Sequence, residues 1–205
     1  MKDAKTENIA TPNRQTDALS KWEAESGAAP TALEEIRLDQ NERLLVPFTT
    51  SVEEIGLHYL DYPSMPGYVR CIGEGCLLCR IKRKKDQRDL WPVYDVIAQT
   101  VGVLAVAPNM RPQALRPQLI SVMRRLKADE RFLLAIAKID RYRFGVTSLP
   151  LNENADDGAE KIAHFVSQFE AASIDLAGIY PQLSNEELAA IPEVATVLQV
   201  RGFQA

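Results

Sequence analysis

Four residues of this chain could hold a metal ion together: His58, Cys71, Cys76 and Cys79, spaced His-x12-Cys-x4-Cys-x2-Cys. They include all three cysteines and one of the two histidines. Thiolate sulfur and neutral imidazole nitrogen are the donors tetrahedral Zn²⁺ prefers, and a structural site fills all four positions with protein. Cys76-Leu77-Leu78-Cys79 is the knuckle, because two intervening residues let both sulfurs face one ion. Gly73 and Gly75 ease the backbone limits where the loop must fold back. One structural Zn²⁺ is the expected cofactor. The competing reading is three unrelated buried or free thiols. A disulfide framework fits poorly, since three thiols leave one over and Met1 to Glu7 is polar, without the apolar core of a secretion signal. An intracellular, reducing setting is expected, and no apolar stretch approaches the length of a membrane span.

The second chemical feature follows the knuckle directly. Arg80, Lys82, Arg83, Lys84, Lys85 and Arg88 place six cations within nine residues, just before Trp91 and Tyr94. Cations neutralise phosphates and release their counterions, while rings stack on bases of any sequence. Tyr59, Tyr62, Tyr68, Tyr142 and Phe144 are further candidate platforms, and Arg141 and Arg143 add charge beside the last two. Taken singly, each ring fits core packing as well, and the basic run fits a solvated loop or a contact with an acidic protein. The net charge of −4 hides an uneven spread. Residues 58–147 hold sixteen Lys and Arg against eight Asp and Glu; residues 1–57 hold six against eleven, and residues 148–205 two against nine. A basic middle between acidic ends suits a polyanion-binding core.

Catalytic patterns are missing. His58 is followed by Tyr59 and Leu60, and Gly75 precedes Cys76, so neither half of the zinc-deaminase signature is present. There is no glycine loop for phosphate. His164 lies in a helical pattern and reads as a surface or packing residue. Four protein ligands leave no open position to activate water. A non-enzymatic protein is expected.

These groups need positioning elements. Residues 1–30 read as a mobile acidic arm, and Leu33 to Leu38 as a short helical turn. Leu44 to Phe48 begins the core of a domain spanning 31–150, with a metal subdomain over 58–90. Pro63 and Pro66-Gly67 mark turns. Leu90–Ile97 and Val101–Ala107 read as strands, the second central because it is apolar on both faces; Pro92 assigns the first to an edge or bulge. Leu115, Leu119, Met123 and Leu126 form one stripe of a helix over 114–128, with Arg116, Arg124, Arg125 and Lys127 toward solvent. Phe132–Ile139 and Tyr142–Leu149 make a hairpin around Asp140-Arg141. In its second strand Tyr142, Phe144 and Val146 share a face. The fold class is mainly β with helices (α+β): an OB-fold-like five-stranded barrel with an inserted zinc subdomain. An acidic linker over 152–158, a helix over 159–177 and a helix start at Ser184 make residues 151–205 an acidic helical segment.

The metal spacing, the basic run and the β-elements after it resemble the single-stranded-DNA-binding (helix-destabilising) proteins of T-even-like bacteriophages over about residues 45–150. The first and last ligand intervals match that family; the middle one, Cys71-x4-Cys76, is shorter. The resemblance implies an OB-fold core, a structural zinc on His58, Cys71, Cys76 and Cys79, and a DNA cleft lined by the basic and aromatic residues. It implies a role in phage-type DNA replication, recombination or repair, in the host cytoplasm, with single-stranded DNA as partner. Replication or recombination proteins would be met through the acidic C-terminal segment, although the family's basic N-terminal motif is absent here. The alternative is a zinc-stabilised protein-interaction adaptor of a replication or transcription complex.

Overall fold

Short apolar and β-branched runs between turn signals make most of this chain sheet. In the computed structural model the order is β1 (Glu34–Glu35), β2 (Arg43–Pro47), β3 (Glu53–Tyr62), β4 (Met65–Arg70), α1 (Leu77–Arg80), β5 (Asp86–Asp95) and β6 (Thr100–Val106). Then come α2 (Leu115–Met123), β7 (Phe132–Lys138), β8 (Phe144–Pro150), a 3-10 turn (Leu176–Ile179), α3 (Asn185–Ala190) and α4 (Pro192–Arg201). The structure describes residues 33–49, 51–125, 132–150 and 175–202, with Ala163 and Ser167 as isolated helical positions. All of them belong to the unit 32–205. The expected arm over 1–30, the linker over 152–158 and most of the helix over 159–177 lie outside the described residues.

The architecture is α+β, with eight strands in one sheet. Its main path runs β1-β6-β5-β2-β7-β8, and β3 and β4 branch from β5. The path does not close into the expected five-stranded barrel, because β8 and β1 are its two ends. Strand β5 is shared: Asp86–Leu90 pair with β3, Val93–Asp95 pair with β2, and the opposite edge pairs with β6. This overturns the edge or bulge assignment for Pro92. Proline offers no ladder N–H, and Pro92 sits between the two pairings, where its carbonyl accepts from Phe48 N–H at 3.1 Å.

Two other local expectations fail. Glu34–Glu35 is a parallel strand on β6, not a helical turn; Gly102 has no side chain and so admits Ile36 close to its backbone. Pro66-Gly67 lies inside β4, and the turn is at Pro63-Ser64.

Alternation assigns the two faces of β5 and β6 to different cores. Trp91, Val93, Leu104 and Val106 join Leu45, Leu134, Ile136 and Val146 under α2, which contributes Leu115, Leu119 and Val122. Met123 packs at the rim of that core, and Leu126 is outside the described residues. Arg116 is not given over to solvent: it pairs with the nearly buried Asp89 at 3.1 Å. On the opposite face Leu57, Leu90 and Val103 are covered by Leu176, Ala177 and Tyr180. Asp175 is extended and Leu176–Ile179 is a 3-10 turn, so no α-helix reaches Ala177.

A third core builds the metal subdomain. Leu60, Tyr62, Val69, Cys76, Leu77, Leu78 and Ile81 pack with Leu188, Ile191, Val194 and Leu198 of α3 and α4. The C-terminal helices α3 and α4 therefore pack on the metal loop. Ser184 starts α3 as expected, with a reciprocal Ser184–Glu187 capping box.

Candidate metal centre and its basic surface

His58 reaches the centre from β3, whose alternation turns His58, Leu60 and Tyr62 to one face and Leu57 and Tyr59 to the other. Cys71 follows β4, where its N–H donates to the Gly56 carbonyl at 2.8 Å. Cys76 occupies the N-cap position of α1 and Cys79 is its third residue. Gly73 and Gly75 both take φ of +81°, a conformation that L side chains rarely adopt, so the fold-back does require glycine.

The four donor atoms lie within 4.8 Å of one another. His58 Nε2 is 3.4 Å from Cys79 Sγ and 3.7 Å from Cys76 Sγ, and Cys71 Sγ is 3.6 Å from Cys79 Sγ. Tetrahedral zinc, with Zn–S near 2.3 Å, would hold neighbouring donors about 3.5–3.8 Å apart. The residues fit one Zn²⁺. His58 Nδ1 lies 3.0 Å from the Lys84 carbonyl. An N–H donated there leaves Nε2 as a bare lone pair aimed at the sulfurs, the usual outer support of a metal-bound imidazole.

The electrostatics favour a cation. Burial pushes the His58 pKa down, toward the neutral form a metal needs. Burial acts to raise the Cys76 thiol, but N–H groups of Cys79, Leu78 and Ile72 outweigh it and bring its pKa below the ordinary value. Although Cys79 is exposed at the rim, its pKa is pushed up to about 12, first by desolvation of its sulfur and then by the sulfurs of Cys71 and Cys76. A second thiolate beside the first needs a positive ion between them.

The structure separates the residues expected to meet nucleic acid. Trp91 and Tyr94 are 2 % and 5 % exposed, so their rings serve the core and cannot take a base. Phe144 packs against the main core. Tyr62 is buried beneath Arg83, whose guanidinium lies 4.6 Å from the ring and also pairs with Asp61.

Tyr59 is half exposed and meets Tyr68 edge-on, with ring centres 5.1 Å apart. Arg88 lies over Tyr68 and donates to its hydroxyl at 2.9 Å. Lys84 is exposed and paired with Asp86 at 2.8 Å. Lys85 instead crosses Gly56 on the metal side. Lys82 and Arg80 are exposed. At the β7–β8 tip Asp140 Oδ1 accepts from the N–H groups of Tyr142 and Arg143, and Arg141 covers the exposed Tyr142 ring.

Two participants escaped sequence reasoning. Tyr180 continues the ring contact, 6.1 Å from Tyr68. Asn185 bonds the knuckle backbone on both sides of Cys76. Nothing local in the sequence marks either role.

No helix among the described residues is long and apolar enough to cross a membrane. The chain matches no protein-family model, no curated protein and no solved structure.

Proposed function

We propose that this chain is a non-enzymatic, sequence-independent single-stranded-DNA-binding protein with one structural zinc, similar to the helix-destabilising proteins of T-even-like phages and acting in phage-type replication, recombination or repair. The observation that carries the reading is the half-exposed Tyr59 ring against Tyr68, with the Arg88 guanidinium over Tyr68 and the exposed Lys84 four residues earlier in the basic run. Rings for stacking beside cations for phosphates are what a single strand requires.

Topology supports it. Strands β2, β5, β6, β7 and β8, with α2 between β6 and β7, have the make-up of a partly open oligonucleotide-binding barrel. Such barrels bind through the loop after the first strand and the loop between the fourth and fifth. Here those connections are the metal subdomain and the Asp140–Arg143 tip. The adaptor alternative is weakened, because helices α3 and α4, its natural docking element, pack on the chain's own subdomain.

The test is fluorescence anisotropy of a labelled oligo-dT of about twenty nucleotides at low and moderate salt, with duplex and RNA controls. Salt-dependent binding that prefers the single strand is expected. No binding at low salt would end the proposal.

A further inference from the structure

Helix α1 is one turn long, and both its ends are served by residues more than a hundred positions away. At its start the Cys76 side chain makes no capping hydrogen bond, so the Leu77 N–H, a first-turn donor without a helical acceptor, needs a partner from elsewhere. Asn185 Oδ1 takes it at 2.9 Å. The same amide donates through Nδ2 to the Gly75 carbonyl at 3.0 Å. Asn185 therefore grips the backbone just before and just after Cys76. At the other end Arg201 donates to the carbonyl of Ile81, the cap residue of α1, at 2.7 Å.

Asn185 is itself held. It is the first residue of α3, and the Ser184–Glu187 box fixes that turn through bonds of 3.1 and 2.7 Å. Leu188, Ile191, Val194 and Leu198 anchor the helices in the core shared with Cys76. A separate contact, Ser64 to Glu193, ties α4 to the β3–β4 turn without touching the knuckle.

We propose that Asn185 is a positioning residue of the metal centre, so that α3 decides how firmly the knuckle keeps its zinc. The proposal rests on the zinc reading of His58, Cys71, Cys76 and Cys79. A side-chain amide suits this position because it offers one acceptor and one donor in one plane. Aspartate would keep the acceptor and lose the donor; alanine would lose both. Outer-shell partners of metal ligands typically account for 10–100-fold in affinity.

The experiment follows zinc release from the full-length protein to a chromogenic chelator, comparing wild type, Asn185→Ala, Asn185→Asp and Ser64→Ala. Thermal midpoints and the thiolate-to-metal absorption of the Co²⁺-substituted proteins are recorded alongside. Asn185→Ala should speed release about tenfold or more and shift the cobalt band, with Asn185→Asp between it and wild type. Ser64→Ala should stay within twofold of wild type. Release from Asn185→Ala within twofold of wild type would overturn the proposal, as would an equal acceleration in Ser64→Ala. If Asn185→Ala does not fold, Asn185→Asp decides, and an unchanged rate and cobalt band overturn it. A wild-type protein that takes up neither zinc nor cobalt would remove the metal reading itself, an outcome distinct from a zinc-loaded protein indifferent to Asn185.

Discussion

His58 and Lys84 are joined by one hydrogen bond, from imidazole Nδ1 to a main-chain carbonyl at 3.0 Å. A candidate metal ligand thus bonds the backbone in the middle of the basic run. On the metal side of the same module Lys85 passes over Gly56, while the exposed Lys84 ammonium pairs with Asp86 at 2.8 Å. Metal occupancy and the placement of surface cations are one structural question.

Chelation should therefore weaken oligo-dT binding without unfolding the protein. The subdomain keeps a core of its own, in which Leu60, Leu77 and Leu78 pack on Leu188 and Val194. That core gives the metal loop apolar neighbours to pack on when the ion is gone. Circular dichroism and anisotropy before and after removing the metal check this; complete loss of sheet signal would contradict it.

Cys79→Ser and Cys76→Ser should differ. Cys79 is exposed at the rim, whereas Cys76 is 1 % exposed and packs in the subdomain core. Both should lose zinc. Cys76→Ser should also destabilise the fold by roughly 1–3 kcal/mol, because a hydroxyl is placed among apolar neighbours. Denaturant midpoints of the two apo variants measure the difference.

The two faces of the subdomain should contribute unequally to binding. Tyr59→Ala should cost about 1–3 kcal/mol of oligo-dT affinity, the scale of one stacked base, with little change in stability. Lys84→Ala with Arg88→Ala should flatten the salt dependence by about 0.7 log units for each phosphate left without its cation. Lys82→Ala with Lys85→Ala should do less. Trp91→Ala should instead destabilise by roughly 3–5 kcal/mol, as a buried ring. Equal salt slopes for the two double variants would refute the ranking.

Acid should loosen the β7–β8 tip. N–H donation from Tyr142, then the Arg143 side chain, holds the Asp140 pKa below 3.8. A depressed carboxylate pKa adds stability that is complete above the ordinary aspartate range and lost as pH falls through the lowered value. Amide exchange at Tyr142 and Arg143 should therefore show protection decreasing below about pH 4, the ordinary aspartate value. Asp140→Asn should remove that dependence.

The cluster that could hold a metal was legible because sulfur and imidazole at knuckle spacing have few other uses, and the Ser184 cap was legible because capping is local. The aromatic assignments were harder. Strand β5 is buried on both faces, so alternation separates Trp91 from Leu90 but cannot say that neither is exposed. Strand β1 exists only because β6 offers an edge and Gly102 leaves room for Ile36. Asn185 meets Gly75 across 110 positions of sequence, a distance at which no local propensity speaks.

Strand β5 serves the metal module with its first half and the main sheet with its second, without a break in the chain. The two bodies consequently share a beam rather than a hinge. A single strand lying across them, as the proposed function requires, would find its seat already formed and forfeit little chain entropy in taking it. Affinity on such a surface is set by what the side chains touch, and hardly by what must first be brought to rest.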